Sequence, residues 1–234
     1  GLVPRVYVPD ALMYELRQML RFRNKLLREG VRMRNKTAGL LMESGVEYNK
    51  RRLHGSKYFA SLVKSLQDVP ETVVDLLKQS KELADLFYTN QEKLLNKLSA
   101  HPALHMRVER LRKPDGIGPV TALTWALEVG DPSRFRSVSH AISYCGLCAA
   151  KEESAGKCKR HGRLSRRCNM ELRNVLIEAA KLAPRRNPQL AEVYEREYER
   201  TQSENLATIA VARKMVAWLL AIDKRKEDFV AHPH

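Results

Sequence analysis

Residues 111–127 read LRKPDGIGPVTALTWAL, and their arrangement decides the class of fold. Arg110, Arg112 and Lys113 close one helical pattern, a Gly-Ile-Gly turn occupies 116–118, and Pro119 opens the next helix. Proline suits a first helical position, where its missing N–H has no intrahelical partner and its fixed φ is already helical. Two glycines one residue apart, Gly116 and Gly118, let the backbone turn tightly and bring its N–H groups close to a ligand. The helix N-terminus beyond adds partial positive charge, which makes a phosphate cradle. Ile117 is the expected apolar peg holding the turn to the core, with Val120, Ala122 and Leu123 packing behind it.

Helical patterns continue on both sides. Towards the C-terminus they fall at 103–112, 119–129, 138–145, 169–183, 188–202 and 205–223, with Asn169 and Asn187 as caps and Pro188 at a first helical position. Towards the N-terminus, Asp10 caps a helix whose apolar residues Leu12, Leu16, Met19, Leu20, Leu26, Leu27 and Val31 recur at three- or four-residue intervals. The polar stretch ESGVEYNKRRLHGSK then reads as a turn or exposed loop. A second long helix is predicted from Val73 to Leu98, with near-heptad apolar positions that Ser80 and Gln91 interrupt, so any coiled coil is imperfect. The two long helices form either an antiparallel pair within one chain or a zipper between chains. SAHPALH, from residue 99, marks a boundary. The reading is a mostly α protein: a helical coiled-coil region over 1–100, then a compact helical domain over 101–234.

Composition narrows the partners. The chain has 234 residues, 44% hydrophobic and 29% charged, with a formal net charge of +15. That is the make-up of a folded protein with a polyanionic partner, most commonly nucleic acid. The apolar run MVAWLLAI falls well short of the ~20 residues that span a bilayer, so no membrane role is expected. Four cysteines give no disulfide framework, which fits a reducing cytoplasm. The Gly-x-Gly turn, beside its basic residues, resembles a helix-hairpin-helix motif, which grips the nucleic-acid backbone without reading bases.

Residues 151–168 carry seven Lys or Arg against two Glu. Held between two helices, this stretch is expected to be a basic loop, and Ala155 and Gly156 leave Ser154 unshielded. A serine that attacks phosphorus needs an activated hydroxyl and cations on the equatorial oxygens. Lys157, Lys159, Arg160 and Arg163 would supply the cations, with His161 the only nearby imidazole. The same stretch also permits two other readings: a solvated basic surface that only holds nucleic acid, or a zinc site from Cys145, Cys148, Cys158 and His161.

The ordered blocks GIGPVTALTWALEVGDPSRFRSVSHAISYCGL, ESAGKCKRHGRLSRRCNMELRNVLIEAAKLAPRRNPQL and ATIAVARKMVAWLLAI resemble the C-terminal domain of the IS110 insertion-sequence transposases, which are related to Piv-type DNA invertases. The resemblance covers residues 104 to about 225, and the helical stretch before it lies where the family has a coiled coil. It implies a DNA recombinase whose serine, Ser154 here, attacks a DNA phosphate and forms a covalent protein–DNA link. Gly116, Ile117, Gly118, Lys157, Lys159, Arg160, Arg163, Arg166 and Arg167 would grip nucleic acid. LSRRCN stands in the place of the family's ISKxGN, so Arg166 replaces a lysine and Cys168 a glycine. The resemblance also implies donor and target DNA as partners, a structured guide RNA in some members, homo-oligomers, and a cytoplasmic, nucleoid-associated location. It gives no support to a metal site in this chain. A RuvC-like nuclease domain with a magnesium-binding acidic set is expected ahead of residue 1, so this sequence reads as the C-terminal part of a longer protein.

Overall fold

Helix α5, Pro119–Val129, is buried from Thr121 to Val129 without a break. A helix buried on every side has no face to give to solvent and becomes the centre of its domain. Around it stand α4 (Pro102–Leu111), α7 (Met170–Leu182) and, in contact with both of these, α9 (Glu204–Arg225). Helices α6 (Val138–Tyr144) and α8 (Pro188–Thr201) pack on α9. The computed structural model describes the backbone of residues 7–154, 157–165 and 167–227, and the side chains of these outside 150–163. Within them the chain divides into two compact units, one formed by Gly1–Arg17 with Leu98–His234 and the other by Gln18–Lys97.

The fold is mostly α, with one two-stranded sheet. In the larger unit the helix starts are fixed by side-chain caps: Ser137 accepts from His140 N, Asn169 from Leu172 N, Asn187 from Leu190 N and Ser203 from Leu206 N. Asp131 likewise accepts from Ser133 N, ahead of a short 3-10 turn. The stretch expected as a basic loop is a β-hairpin, β1 (Ala149–Ser154) antiparallel to β2 (Lys157–Leu164), with two register irregularities. Its strands lack the apolar–polar alternation of a half-buried sheet, so the basic run hid them.

Helix α9 carries more of the core than its eight-residue apolar run suggests. By length and composition it is apolar enough to cross a membrane, because Arg213 and Lys214 interrupt the run without lowering the helix-long average below that level. Half of that apolar window is buried within the protein, where Val211, Ala212, Met215, Val216 and Leu219 are fully covered. Near its end Asp223 joins three helices. It accepts 2.8 and 2.6 Å bonds from Arg107 of α4 and a 2.9 Å bond from the indole N–H of Trp125 of α5.

The smaller unit is built on parts of α1 (Ala11–Glu43) and α3 (Glu71–Ser99), joined by α2 (Ser56–Ser65). Contacts at Thr37–Ser80 and Arg34–Tyr88 make the two long helices an antiparallel pair within one chain. Ser80, an expected flaw in the seam, shares a buried 2.8 Å hydrogen bond with Thr37. Gly30 lets α3 come close, since a Cβ there would lie 3.0 Å from the Tyr88 ring. The polar stretch 43–57 is not wholly exposed: Leu53 is buried and joins Leu40, Leu41, Phe59 and Leu77 in one cluster. Helix α2 begins at its end, a ten-residue helix absent from the sequence reading, with Phe59 as its buried residue.

Asp223→Ala leaves the largely buried Arg107 guanidinium without its carboxylate. It is expected to lower the stability of the larger unit by about 3 kcal/mol, in the range for breaking a buried pair from one side. Urea unfolding followed by tryptophan fluorescence reads this directly. A loss below about 1 kcal/mol would show that the Asp223 junction does not hold the three helices.

Candidate nucleic-acid interface

Three features of the larger unit bear on a nucleic-acid interface. The first is the turn between α4 and α5. Gly116 has φ +98°, and a Cβ on it would sit 2.7 Å from the Cβ of Ala183, so glycine is required twice over. Gly118 is the N-cap of α5 with extended backbone, and a Cβ there would meet open space. Ile117 is buried at 5% exposure, as a peg should be, and its N–H closes the turn on Pro114 O at 3.1 Å. Asn187, the cap of α8, also donates to Asp115 O at 3.1 Å, tying the turn to a second helix. Exposed Arg112 and Lys113 stand beside it.

The second feature is the hairpin. Ser154 is the last residue of β1 and pairs with Lys157, the first of β2. The side chains of Ser154, Lys157, Lys159, Arg160 and Arg163 lie outside the described residues, and so does Arg166 altogether. Arg167 is exposed, with its N–H on the Ser165 hydroxyl at 3.3 Å.

The base of the hairpin is held firmly. Ser165 N–H donates to Cys148 O at 3.0 Å, and Asn169 N–H to Tyr144 O at 2.9 Å. Arg173 of α7 donates to Gly146 O through two nitrogens, at 3.0 and 2.7 Å, and to Ser165 O. Arg213 of α9 donates to Leu147 O at 2.9 Å. Gly146 sits at φ +69°, with Cys168 Sγ 2.4 Å and an Arg173 nitrogen 2.6 Å from where a Cβ would be. Cys168 therefore lies against the one residue here that has no side chain. That is how a cysteine stands in LSRRCN where a glycine was the expectation.

Beneath this base is a buried polar network. Glu128 has no exposure and accepts from the Asn169 amide at 2.7 Å, while the Tyr144 hydroxyl donates to Glu128 O at 3.0 Å. Arg17 donates to Leu127 O at 2.9 Å and lies 4.0 Å from the Glu128 carboxylate. The Arg134 guanidinium stands over the rings of Tyr7, Phe135 and Tyr144. Arg17, Arg173, Arg213 and Asn169's second role were missed from sequence, because their partners are backbone carbonyls or a carboxylate 41 residues away.

The third feature is an open polar cavity of about 560 Å³ lined by Arg107, Arg110, Asp131, Ser133, Asp223, Lys224 and Lys226. Hydrogen bonds from the Ser133 hydroxyl and N–H hold the Asp131 carboxyl below its usual pKa. For the cysteines, burial pushes the Cys145 thiol up to about 12, so it stays protonated near neutral pH. Among the described residues no group of three or more His, Cys, Asp or Glu is arranged to hold a metal; Cys158 and His161 fall outside those side chains.

This is a helical domain with a clamped basic hairpin, and comparison with known proteins shows what it is similar to. Residues 108–195, from α4 into α8, match the Transposase IS116/IS110/IS902 family. That segment, which includes α5, the hairpin and α7, is similar to the domain this family shares. The chain is 28% identical over 183 residues to a probable family 20 transposase of Pseudomonas aeruginosa, covering 76% of this chain and 54% of the relative. It is 23% identical over 225 residues to the transposase for insertion sequence element IS1111A of Coxiella burnetii, covering 92% and 60%. A pilin gene-inverting protein of Moraxella lacunata is 25% identical over 138 residues, covering 58% and 43%. The chain thus spans about half the length of the curated relatives it matches.

Gly146→Ala adds both a left-handed backbone strain and a clash at the hairpin base. It is expected to cost about 3 kcal/mol, against about 1 kcal/mol for Gly45→Ala, where φ is +67° but a Cβ meets open space. Thermal unfolding of both variants checks the difference. Equal losses would mean that the base of the hairpin yields to a side chain.

Proposed function

We propose that this chain is the catalytic-serine part of a DNA transposase. In this reading Ser154 attacks a DNA phosphate, and the basic hairpin and the Gly116–Gly118 turn hold the phosphate backbone. Both DNA partners, donor and target, engage the larger unit, and a structured RNA guides the choice of site. The observation that carries the reading is positional: the serine closes β1 opposite Lys157, on a hairpin whose base is fixed by Arg173 and Arg213. A nucleophile on a positioned element meets its phosphate in a repeatable geometry, which is where proximity effects arise.

The chemistry balances without an outside oxidant or reductant. The Ser154 Oγ forms a bond to phosphorus, one P–O bond of the DNA backbone breaks, and the departing DNA end leaves as a hydroxyl. The serine proton goes to a general base, and the departing oxygen takes a proton from a general acid. The phosphodiester is conserved as a phosphoserine link, so the reverse attack by a DNA hydroxyl rejoins a strand. Lys157, Lys159, Arg160, Arg163, Arg166 and Arg167 supply charge to the phosphate oxygens, which such a transition state needs. Gly118 and the first turn of α5 supply backbone N–H groups to a neighbouring phosphate. A RuvC-like domain outside this sequence, holding magnesium on its acidic residues, completes the proposed enzyme as a homo-oligomer. The RNA- or DNA-holding module without catalysis is the competing outcome of the test.

The test uses a full-length transposase carrying this chain, with labelled donor DNA, target DNA and co-encoded RNA. The wild type is expected to give a denaturant-resistant protein–DNA adduct that maps by peptide mass to residue 154 and vanishes in Ser154→Ala. An adduct that survives the substitution, or the absence of any adduct during completed strand exchange, removes Ser154 as nucleophile and leaves the hairpin as a phosphate-holding element.

A further inference from the structure

The smaller unit carries a charged surface that neither the serine hairpin nor the transposase match accounts for, since the match begins at residue 108. Between residues 21 and 36 the sequence of α1 holds seven Lys or Arg against one acidic residue, Glu29. Of the seven, Arg23 is buried, and Arg34 lies 3.6 Å over the ring of Tyr88. The other five, Arg21, Lys25, Arg28, Arg32 and Lys36, are all exposed. Their spacing of four, three, four and four residues is the spacing of one helix face. At 100° per residue they fall within a sector of roughly 80°, and at 1.5 Å per residue they extend over roughly 22 Å. Glu29 lies at the rim of that sector, where Arg32 engages it at 3.0 Å.

The facing helix shows that this is not a general property of the unit. Helix α3 has four Lys against five Asp or Glu over its whole length. Exposed Lys50, Arg51, Arg52 and Lys57 follow α1 in the segment that leads to α2.

We propose that the outer face of α1 is a second surface for duplex DNA, gripping the phosphate backbone independently of the hairpin. The choice of duplex follows from the shape of the row. It is a straight line of cations with no aromatic ring inside its sector; Phe22, the exposed ring nearby, lies roughly 40° outside it. Single-strand binding relies on such rings as stacking platforms. A single helix enters or straddles the ~12 Å major groove of B-form DNA, whereas the deep, narrow major groove of an A-form RNA duplex does not admit it. The reading of the chain as a DNA-acting protein supplies only the choice of probe; the charge row stands apart from Ser154 and its chemistry.

The experiment is a salt titration of binding to a 30-base-pair DNA duplex of arbitrary sequence, using the 234-residue chain and fluorescence anisotropy. Each phosphate contact on duplex DNA contributes about 0.9 to the slope of log K against log salt. Replacing Arg21, Lys25, Arg32 and Lys36 by Gln is expected to reduce that slope by about 3 to 4. Replacing Lys64, Lys78, Lys93 and Lys97, on α2 and α3, by Gln removes the same net charge and is expected to leave the slope within about 1 of wild type. Circular dichroism and thermal unfolding establish that both variants are folded. An α1 variant with the wild-type slope overturns the proposal, as does an equal drop in both variants. A loss seen on single-stranded DNA or duplex RNA but not on duplex DNA overturns it too. Because Ser154 is untouched and no adduct is measured, failure here and failure of the serine mechanism are separate results.

Discussion

A carboxylate with no solvent exposure governs the site half of the molecule. Taking Glu128 out of water costs several kcal/mol unless its oxygens are satisfied. Here the Asn169 amide meets one oxygen at 2.7 Å and Arg17 stands 4.0 Å away. The Tyr144 hydroxyl secures the backbone of the same residue. Asn169 is also the N-cap of α7, and its own N–H donates to Tyr144 O. One buried charge on α5 therefore fixes where α7 begins and where α6 ends. Those two points are the ends of the segment that contains the hairpin. The hairpin needs such support, because an isolated pair of strands is marginally stable in water.

The helical framework was legible in the sequence because the signals that define helices are local. The cap residues Asn169 and Asn187, the Pro-first starts of α5 and α8, and the apolar spacing of α9 are each read within four residues of chain. The expected spans 119–129 and 188–202 differ from the observed Pro119–Val129 and Pro188–Thr201 by at most one residue. The Gly-Ile-Gly turn was also readable, since only glycine accepts the left-handed φ of Gly116, and Ile117 is the one large apolar residue available to anchor it.

What escaped was the non-local part. β1 and β2 are charged on both strands and make no apolar alternation, so the segment carried charge as its only visible signal. Leu53 lay inside a polar stretch, and nothing local marked it as the residue that folds back onto Leu41 and Leu77. The candidate site divides the same way. Ser154 and the basic residues were singled out by motif as candidates, while the arginines that hold the hairpin base were not, because a guanidinium aimed at a carbonyl leaves no pattern in the sequence.

Those arginines change how the charge of +15 should be understood. Arg17, Arg110, Arg134, Arg173, Arg213 and Lys224 all donate to backbone carbonyls, at Leu127, Lys226, Val129, Gly146, Leu147 and Phe135. A carbonyl satisfies a donor but carries no formal charge, so these side chains serve as struts and, apart from Arg17 beside the Glu128 carboxylate, their carbonyl partners do not cancel their positive charge. A carboxylate partner would have held the chain equally well and cancelled the field. At the hairpin base, Arg173 and Arg213 brace the backbone through carbonyls and keep their positive charge there. Stability and positive charge are then supplied by the same residues, and the protein does not have to trade one for the other at the base of the hairpin.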